Sequence, residues 1–366
     1  MRIGIDARMY GPAQTGIGIY IQELTRALFR IDDENEYILF LRGQLLFPGF
    51  FSPRIRVVPT TPRWYSLREQ TALPFRFLRE KLDLLFVPHF NAPILYPKKY
   101  IVTIHDVTPL DFPARGRMPA WWRRELFGFI AGNAMRRARR IIAVSDFTRH
   151  QAIERFHIPS EKITVIHEAP RFQKVQPNLN LLSANYRLQT PFILFVGVLR
   201  PHKNVLGLLE AFALLRKSIS DATLVLAGPE DPRYPEIRER AAKPDLRDAV
   251  RFLGFTQDSD LPQLLANASC VVVPSFVEGF GLVGLEALVQ GIPVVAARAG
   301  ALPEVLGGAA LFVDPYDYKD IARGIEQVLT DEKTRARILA QAPSVLSRFS
   351  WERAARETLE VFSGNF

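Results

Sequence analysis

Short apolar runs alternate with amphipathic stretches along the whole chain of 366 residues. In the first half the runs at residues 3–6, 37–41, 55–58, 84–87, 101–105, 141–145 and 164–166 are too short for helices and read as buried strands. Residues 17–29 and 120–138 carry the helical period instead. Around 168–191 the periodicity fades into a segment holding Pro170, Pro177 and Pro191, which reads as a linker. The alternation then restarts, with strands at 192–196, 223–227, 250–253, 270–273 and 293–296. Helices at 205–217 and 258–268, and one from Leu282, lie between them. Alternation of this kind builds parallel sheets covered by helices on both faces. The expected organisation is therefore two doubly wound α/β domains, 1–175 and 176–349, with a capped final helix in 350–366 that opens at Ser350-Trp351-Glu352. Two such domains are expected to face each other across a cleft, with ligands at the carboxyl ends of the strands.

Composition narrows the class without changing that picture. Hydrophobic residues make up 48% and charged residues 23% of the chain, a globular composition. The single cysteine, Cys270, excludes a disulfide framework and any multi-cysteine metal site, in keeping with a reducing cytoplasm. The first residues, Met1-Arg2-Ile3-Gly4, run directly into a strand pattern and not a signal sequence, and no apolar run approaches bilayer-spanning length. The expectation is a cytoplasmic protein, at most peripheral on the inner face of the cell membrane. The net charge of +9 is unevenly placed: residues 1–175 hold 27 Lys+Arg against 16 Asp+Glu, and the remainder 20 against 22. The two halves are expected to meet different partners, the basic one facing anionic lipid, a phosphorylated substrate or nucleic acid.

The sharpest chemical signal is Pro274-Ser275-Phe276-Val277-Glu278-Gly279-Phe280-Gly281-Leu282-Val283-Gly284-Leu285-Glu286. It follows an apolar strand and opens a helix. Gly279 and Gly281 let a ligand approach the backbone, and the free N–H groups of the helix start suit an anion. Glu278 precedes the helix and Glu286 lies about two turns inside it. Carboxylates there suit hydroxyl donors such as those of sugar and ribose; the plainer reading is a capping carboxylate and a solvated glutamate. A second turn, Gly197-Val198-Leu199-Arg200-Pro201-His202-Lys203-Asn204, places two cations between a strand and a helix, where they could neutralise a diphosphate leaving group or simply be solvated. His105 and Asp106 end a strand of the first half. Gly16 and Gly18 open a helix, either admitting a phosphate or acceptor group or packing against a strand. The dinucleotide fingerprint is incomplete, since Ile21 stands at its third glycine position. No metal-ligand spacing occurs among the histidines, so no metal is expected. From Arg115 to Arg140 the chain carries eight arginines, Arg117, Arg123 and Arg124 among them, interleaved with Trp121, Trp122, Leu126, Phe127, Phe129 and Ile130. That pattern suits either an anionic membrane interface or a half-buried helix with solvated arginines. No nucleic-acid recognition module accompanies it, so nucleic acid is not an expected partner.

The Glu278–Glu286 segment resembles the Glu-x7-Glu motif of family 4 glycosyltransferases, which have the GT-B fold. Ile3-Gly4-Ile5-Asp6-Ala7-Arg8, Thr15-Gly16-Ile17-Gly18-Ile19-Tyr20, Ile141-Ile142-Ala143-Val144-Ser145 and Gly291-Ile292-Pro293-Val294-Val295-Ala296 are also similar to family segments. The resemblance implies two tandem Rossmann-like domains, with the C-terminal helix crossing back to the first. It implies a metal-independent retaining transferase without a cofactor, whose partners are a nucleotide-sugar donor and a glycan or lipid-linked acceptor. Glu278 then contacts the donor sugar, Glu286 the ribose hydroxyls, Lys203 the phosphates and His105 a sugar hydroxyl. Gly279, Phe280, Gly281 and Leu282 line the donor, and base recognition lies near Phe255. The family's commoner pattern has an arginine directly after Gly197, where this chain has Val198; Arg200 would substitute. The Pro-His-Lys-Asn turn and the Gly-Ile-Asp-Ala-Arg opening resemble bacterial mannosyltransferases of surface-polysaccharide assembly, which implies GDP-mannose. UDP- and dTDP-sugar donors remain open, as do a sugar-nucleotide epimerase and a non-catalytic sugar-nucleotide-binding scaffold.

Overall fold

The computed structural model describes residues 1–42, 52–62, 66–116, 118–188 and 192–364; Arg117 and Pro191 lie outside them. The chain forms two compact units, Met1–Glu168 together with Ser350–Phe366, and Ala169–Phe349. Each is built on one fully parallel sheet.

The first unit contains β1 (Arg2–Asp6), β2 (Glu36–Arg42), β3 (Ile55–Thr60), β4 (Leu84–Val87), β5 (Tyr100–Ile104), β6 (Arg140–Ala143) and β7 (Ile163–Val165), in the spatial order β3-β2-β1-β4-β5-β6-β7. Its central strands are apolar at successive positions, not alternate ones, because helices cover both faces; all four residues of β4 and all five of β5 are buried. The chain winds outward from β1 to β3 and then returns to the other side of β1 at β4. The strand order therefore reverses between β1 and β4.

The second unit repeats the plan with β8 (Phe192–Val196), β9 (Thr223–Ala227), β10 (Val250–Gly254), β11 (Cys270–Val273), β12 (Val294–Ala297) and β13 (Ala310–Val313), ordered β10-β9-β8-β11-β12-β13. Here the reversal falls between β8 and β11, which pair through Cys270 with Ile193 and Val271 with Leu194. The loops leaving these two strands are the turn through Lys203 and the segment through Glu278. Topology thus brings together two motifs about 75 residues apart in sequence.

The tail helix Trp351–Ser363 belongs to the first unit. Ser350 caps it by accepting a bond from the Arg353 backbone N–H at 3.4 Å. The helix packs on the helix Thr15–Ile31, with Trp351 beside Tyr20 and Phe362 edge-on to Phe86 at 5.2 Å.

Several boundaries differ from those expected. The units divide between Glu168 and Ala169, so residues 169–175 belong to the second unit and not the first. Gln290 explains why: its side chain accepts from the Val175 N–H and donates to the Gln173 carbonyl, both at 2.9 Å. The expected linker contains a helix, Leu179–Tyr186, capped by Asn178 and burying only Leu182, too little to print a period on the sequence. Strand β5 stops at Ile104, which leaves His105 just beyond it, and β6 stops at Ala143, where Ser145 caps the next helix. No described helix is long and apolar enough to cross a membrane.

Phe362 is 1% exposed, and its truncation to alanine should cost about 3–5 kcal/mol through lost burial and a residual cavity. Urea denaturation of Phe362→Ala should show that loss; a change below about 1 kcal/mol would mean that the tail does not stabilise the first unit.

Candidate active site

The site in the second unit is assembled from the loops after β8, β10 and β11 and from the first residues of the unit. After β8 the chain makes a tight turn at Pro201–Lys203 and passes through Asn204 in the left-handed region, φ 55°. Asn204 is buried, and its side-chain amide donates to the Pro274 carbonyl at 3.1 Å and to the Pro315 carbonyl at 2.7 Å. The Phe276 N–H donates to the His202 carbonyl at 2.9 Å. The lysine turn is thereby fastened to the loop that carries Glu278.

Lys203 Nζ lies 2.7 Å and 2.9 Å from the two carboxylate oxygens of Glu278, and Ser275 Oγ donates to Oε1 at 2.6 Å. Burial pushes the Glu278 carboxyl up. The charge and hydrogen bonds of Lys203, with the Ser275 bond, outweigh that and hold it below the ordinary glutamate value. Gly300 makes room for the loop: at φ +60° it faces the Glu278 backbone, and a Cβ there would stand 2.6 Å from Glu278 N and O. Gly281, φ 101°, turns the chain into the helix Leu282–Gln290. The Phe280 side chain points away from the loop into the core, edge-on to Phe349 at 5.5 Å, so its contribution to a ligand is limited to backbone. Gly279 and Leu282 are partly exposed on either side of it.

Arg200 reaches sideways, with Nε 3.1 Å from Asp231 Oδ2. Asp231 is shared with Arg233, whose hydrogen bonds dominate in lowering its carboxyl to about 2. The Phe255 ring, after β10, is 58% exposed and open to stack on a planar group.

Glu286 is 1% exposed. The guanidinium of Arg171 donates through Nε to Oε1 at 2.7 Å and, more weakly, through Nη2 to Oε2 at 3.5 Å. Nη1 of the same group donates to Asp258 Oδ1 at 3.0 Å. Burial raises the Glu286 carboxyl above its ordinary value even with this partner. Arg171 has no sequence signal of its own; it stands in a proline-bearing stretch that reads as linker.

In the first unit, His105 Nδ1 lies 3.0 Å from Glu168 Oε1 and Nε2 lies 3.0 Å from the Pro88 carbonyl oxygen, so protein oxygens hold both ring nitrogens. Tyr20 packs edge-on against the ring at 4.6 Å and bonds Thr103 Oγ1 at 3.2 Å. Asp106 turns away from His105 and accepts the Thr108 N–H at 2.8 Å. Glu168, the residue that orients His105, is 63 positions away in sequence, and nothing local marks it. Gly18 is a packing glycine, since a Cβ there would meet the Gly11 carbonyl oxygen at 2.0 Å; Gly16 is exposed and open.

At the end of β1 a buried polar network joins Asp6 and Arg8, from the family-like opening segment, to Glu69 and Asn91, which the sequence did not single out. Arg8 pairs with Asp6 through two 2.7 Å bonds and with Glu69 at 2.7 Å, and Asn91 donates to Glu69 at 2.8 Å. Burial raises the Asp6 carboxyl, but the charge and hydrogen bonds of Arg8, followed by those of His89, hold it well below the carboxylate range.

The helix Ala120–Arg137 exposes Trp121, Trp122, Leu126 and Phe129, the two tryptophans stacked at 5.0 Å. Arg124 is exposed beside them, and Arg123 donates to the Met118 carbonyl. Phe127 turns inward and meets Phe90 at 4.7 Å.

Two Rossmann-like units, one carrying a lysine turn and two carboxylates at its strand-order reversal, define a glycosyltransferase of the GT-B class. Residues 15–169 match the family described as Glycosyltransferase Family 4, and residues 183–345 match Glycosyl transferases group 1. The chain is 34% identical over 297 residues to O-antigen chain mannosyltransferase B of Escherichia coli, which covers 78% of this chain and 75% of that protein. It is 30% identical over 275 residues to the serotype-specific mannosyltransferase WbdA of Escherichia coli, across 73% of this chain but 34% of that longer protein. In fold it is similar to sucrose-phosphate synthase from Thermosynechococcus elongatus, with a TM-score of 0.81, 20% identity, and 100% and 99% of the two chains covered. The chain belongs to family 4 of the glycosyltransferases, and it is a hexosyltransferase.

Lys203 sets the acid limit of the site. Because the folded value of Glu278 lies below 4.5, its stabilising contribution is fully present above about pH 4.5 and is lost only as pH falls through the lower folded value. In Lys203→Met, burial is left to raise the carboxyl above its unfolded value, which reverses the sign, so the variant should lose less thermal stability than wild type as pH falls below about 4.5. Superimposable melting-temperature profiles for the two proteins would show that the pair does not hold Glu278 ionised.

Proposed function

We propose that the enzyme is a retaining mannosyltransferase that moves mannose from GDP-mannose to a glycan or lipid-linked acceptor. The observation that carries this reading is the Lys203–Glu278 pair at the start of the helix Leu282–Gln290. In the unliganded pair each charge satisfies the other. A donor diphosphate would take the ammonium and a sugar hydroxyl the carboxylate, so the pair exchanges partners without leaving either charge bare. The mannose assignment is supported by the two Escherichia coli relatives, an O-antigen chain mannosyltransferase and a serotype-specific mannosyltransferase.

In the proposed step the acceptor oxygen bonds to the anomeric carbon as the bond from that carbon to the phosphate oxygen breaks. The acceptor proton passes to the leaving phosphate on the same face. Lys203, Arg200 and the N–H groups of the helix start stabilise the charge that develops on the diphosphate. Glu286 accepts from the ribose hydroxyls and Phe255 lies against the base. His105 bonds a sugar hydroxyl through Nε2 in place of the Pro88 carbonyl.

The exposed face of Trp121, Trp122, Leu126 and Phe129, with Arg124 beside it, fits a peripheral contact with an anionic membrane, where a lipid-linked acceptor would be held. In vesicles containing anionic lipid, wild-type protein should co-sediment and Trp121→Ala/Trp122→Ala should remain largely in the supernatant. Equal partitioning of the two proteins would remove the helix from this role.

Glu278→Ala and Lys203→Ala should each lower transfer from GDP-mannose by about a hundredfold or more while melting cooperatively. A panel of nucleotide sugars should raise the melting temperature most with GDP-mannose; a larger rise with a UDP- or dTDP-sugar would reassign the donor.

A further inference from the structure

Glu286 is a carboxylate sealed from water, and such a group keeps its charge only where a partner compensates for the lost hydration. The charged groups that act on it are Arg171, from the first residues of the unit, and Asp258, from the loop after β10. Arg171 is held there by more than its own ion pairs. Four residues beyond Glu286, on the same helical face, the buried Gln290 clamps residues 173 and 175 by two backbone bonds of 2.9 Å. The guanidinium also lies 4.3 Å from the centre of the Phe172 ring. Its position is therefore set by Glu286, Asp258 and the clamped backbone together.

The division of hydrogen bonds is unequal. Of the side-chain bonds, Oε1 receives the short one of 2.7 Å and Oε2 the long one of 3.5 Å, and the Arg171 backbone adds a further hydrogen bond to the carboxylate. An ionised carboxylate accepts about four hydrogen bonds, so the group keeps room for a further donor, and the long 3.5 Å bond makes Oε2 the oxygen that yields to one most easily. Arginine suits this arrangement and lysine does not, because a planar fork can hold Glu286 and Asp258 at once along fixed directions.

We propose that Arg171 is a positioning residue for the donor nucleotide: it keeps Glu286 ionised and turns Oε2 toward the ribose hydroxyls. This rests on the reading of Glu286 as the ribose ligand. Arg171 itself touches neither the sugar nor the reacting atoms; it acts through Glu286. Removing it leaves the carboxylate buried beside Asp258 alone, where both burial and like charge favour the protonated form.

The test is calorimetric titration of wild type, Arg171→Met and Arg171→Lys with GDP, with UDP as a second probe, and with a GDP analogue lacking both ribose hydroxyls. Arg171→Met should bind GDP about tenfold more weakly than wild type, with Arg171→Lys between them. The analogue should bind wild type and Arg171→Met equally. Across a pH series, the acid-side weakening of GDP binding should begin at higher pH in Arg171→Met, because the protonated carboxyl accepts less well. Equal GDP affinity in wild type and Arg171→Met would overturn the proposal, and so would tighter binding by the variant, which would mark Arg171 as a competitor for the ribose seat. An equal loss of GDP and analogue binding would also overturn it, as general damage to the site. If wild type binds neither GDP nor UDP, the nucleotide-donor reading itself fails, an outcome distinct from all of these.

Discussion

Carboxylates removed from water govern this structure. Glu278 and Glu286 flank one helix start, and each is retained by a cation from a different loop, Lys203 for the first and Arg171 for the second. A buried carboxylate without such a partner would take up a proton or draw water in. The loops after β8, β10 and β11 and the first residues of the second unit are therefore bound to one another by charge as well as by packing. Asp6 and Glu69 in the first unit, bridged by Arg8, follow the same rule.

The two cations are of different kinds, and the difference matches the work proposed for them. Lys203 meets both oxygens of a carboxylate that is partly open, and an ammonium on a flexible stem exchanges partners readily. Arg171 meets a sealed carboxylate with a planar fork and is held from behind by Asp258 and by the Gln290 clamp. One pair is built to be divided by a ligand, the other to hold its geometry while a ligand arrives.

Much of this was legible along the chain. Strands such as residues 192–196 and 270–273 end where expected, because a strand buried on both faces prints an unbroken apolar run. Glu278 stood out beside a glycine before a helix start, Glu286 about two turns inside that helix, Lys203 in a basic turn between a strand and a helix, and His105 at the end of an apolar run. Arg171, Glu168, Asn204 and Gln290 did not. Their roles depend on partners from about 60 to 120 residues away, and a polar residue in a loop or on a helix looks the same whether it is solvated or clamps a distant backbone. The sequence also does not show that the Phe280 ring turns into the core against Phe349, which leaves the backbone of this residue to face the loop.

The sequence by itself determined the two-unit α/β plan, the family and the motifs at the strand ends, because local periodicity and short-range spacing carry that information. Only the tertiary structure decided that residues 169–175 belong to the second unit and that Glu286 is paired with Arg171. Those outcomes depend on which distant groups reach one another after burial. The free energy of leaving a charge or a backbone group unpaired in the interior is a property of the folded surroundings, and no window of sequence contains it.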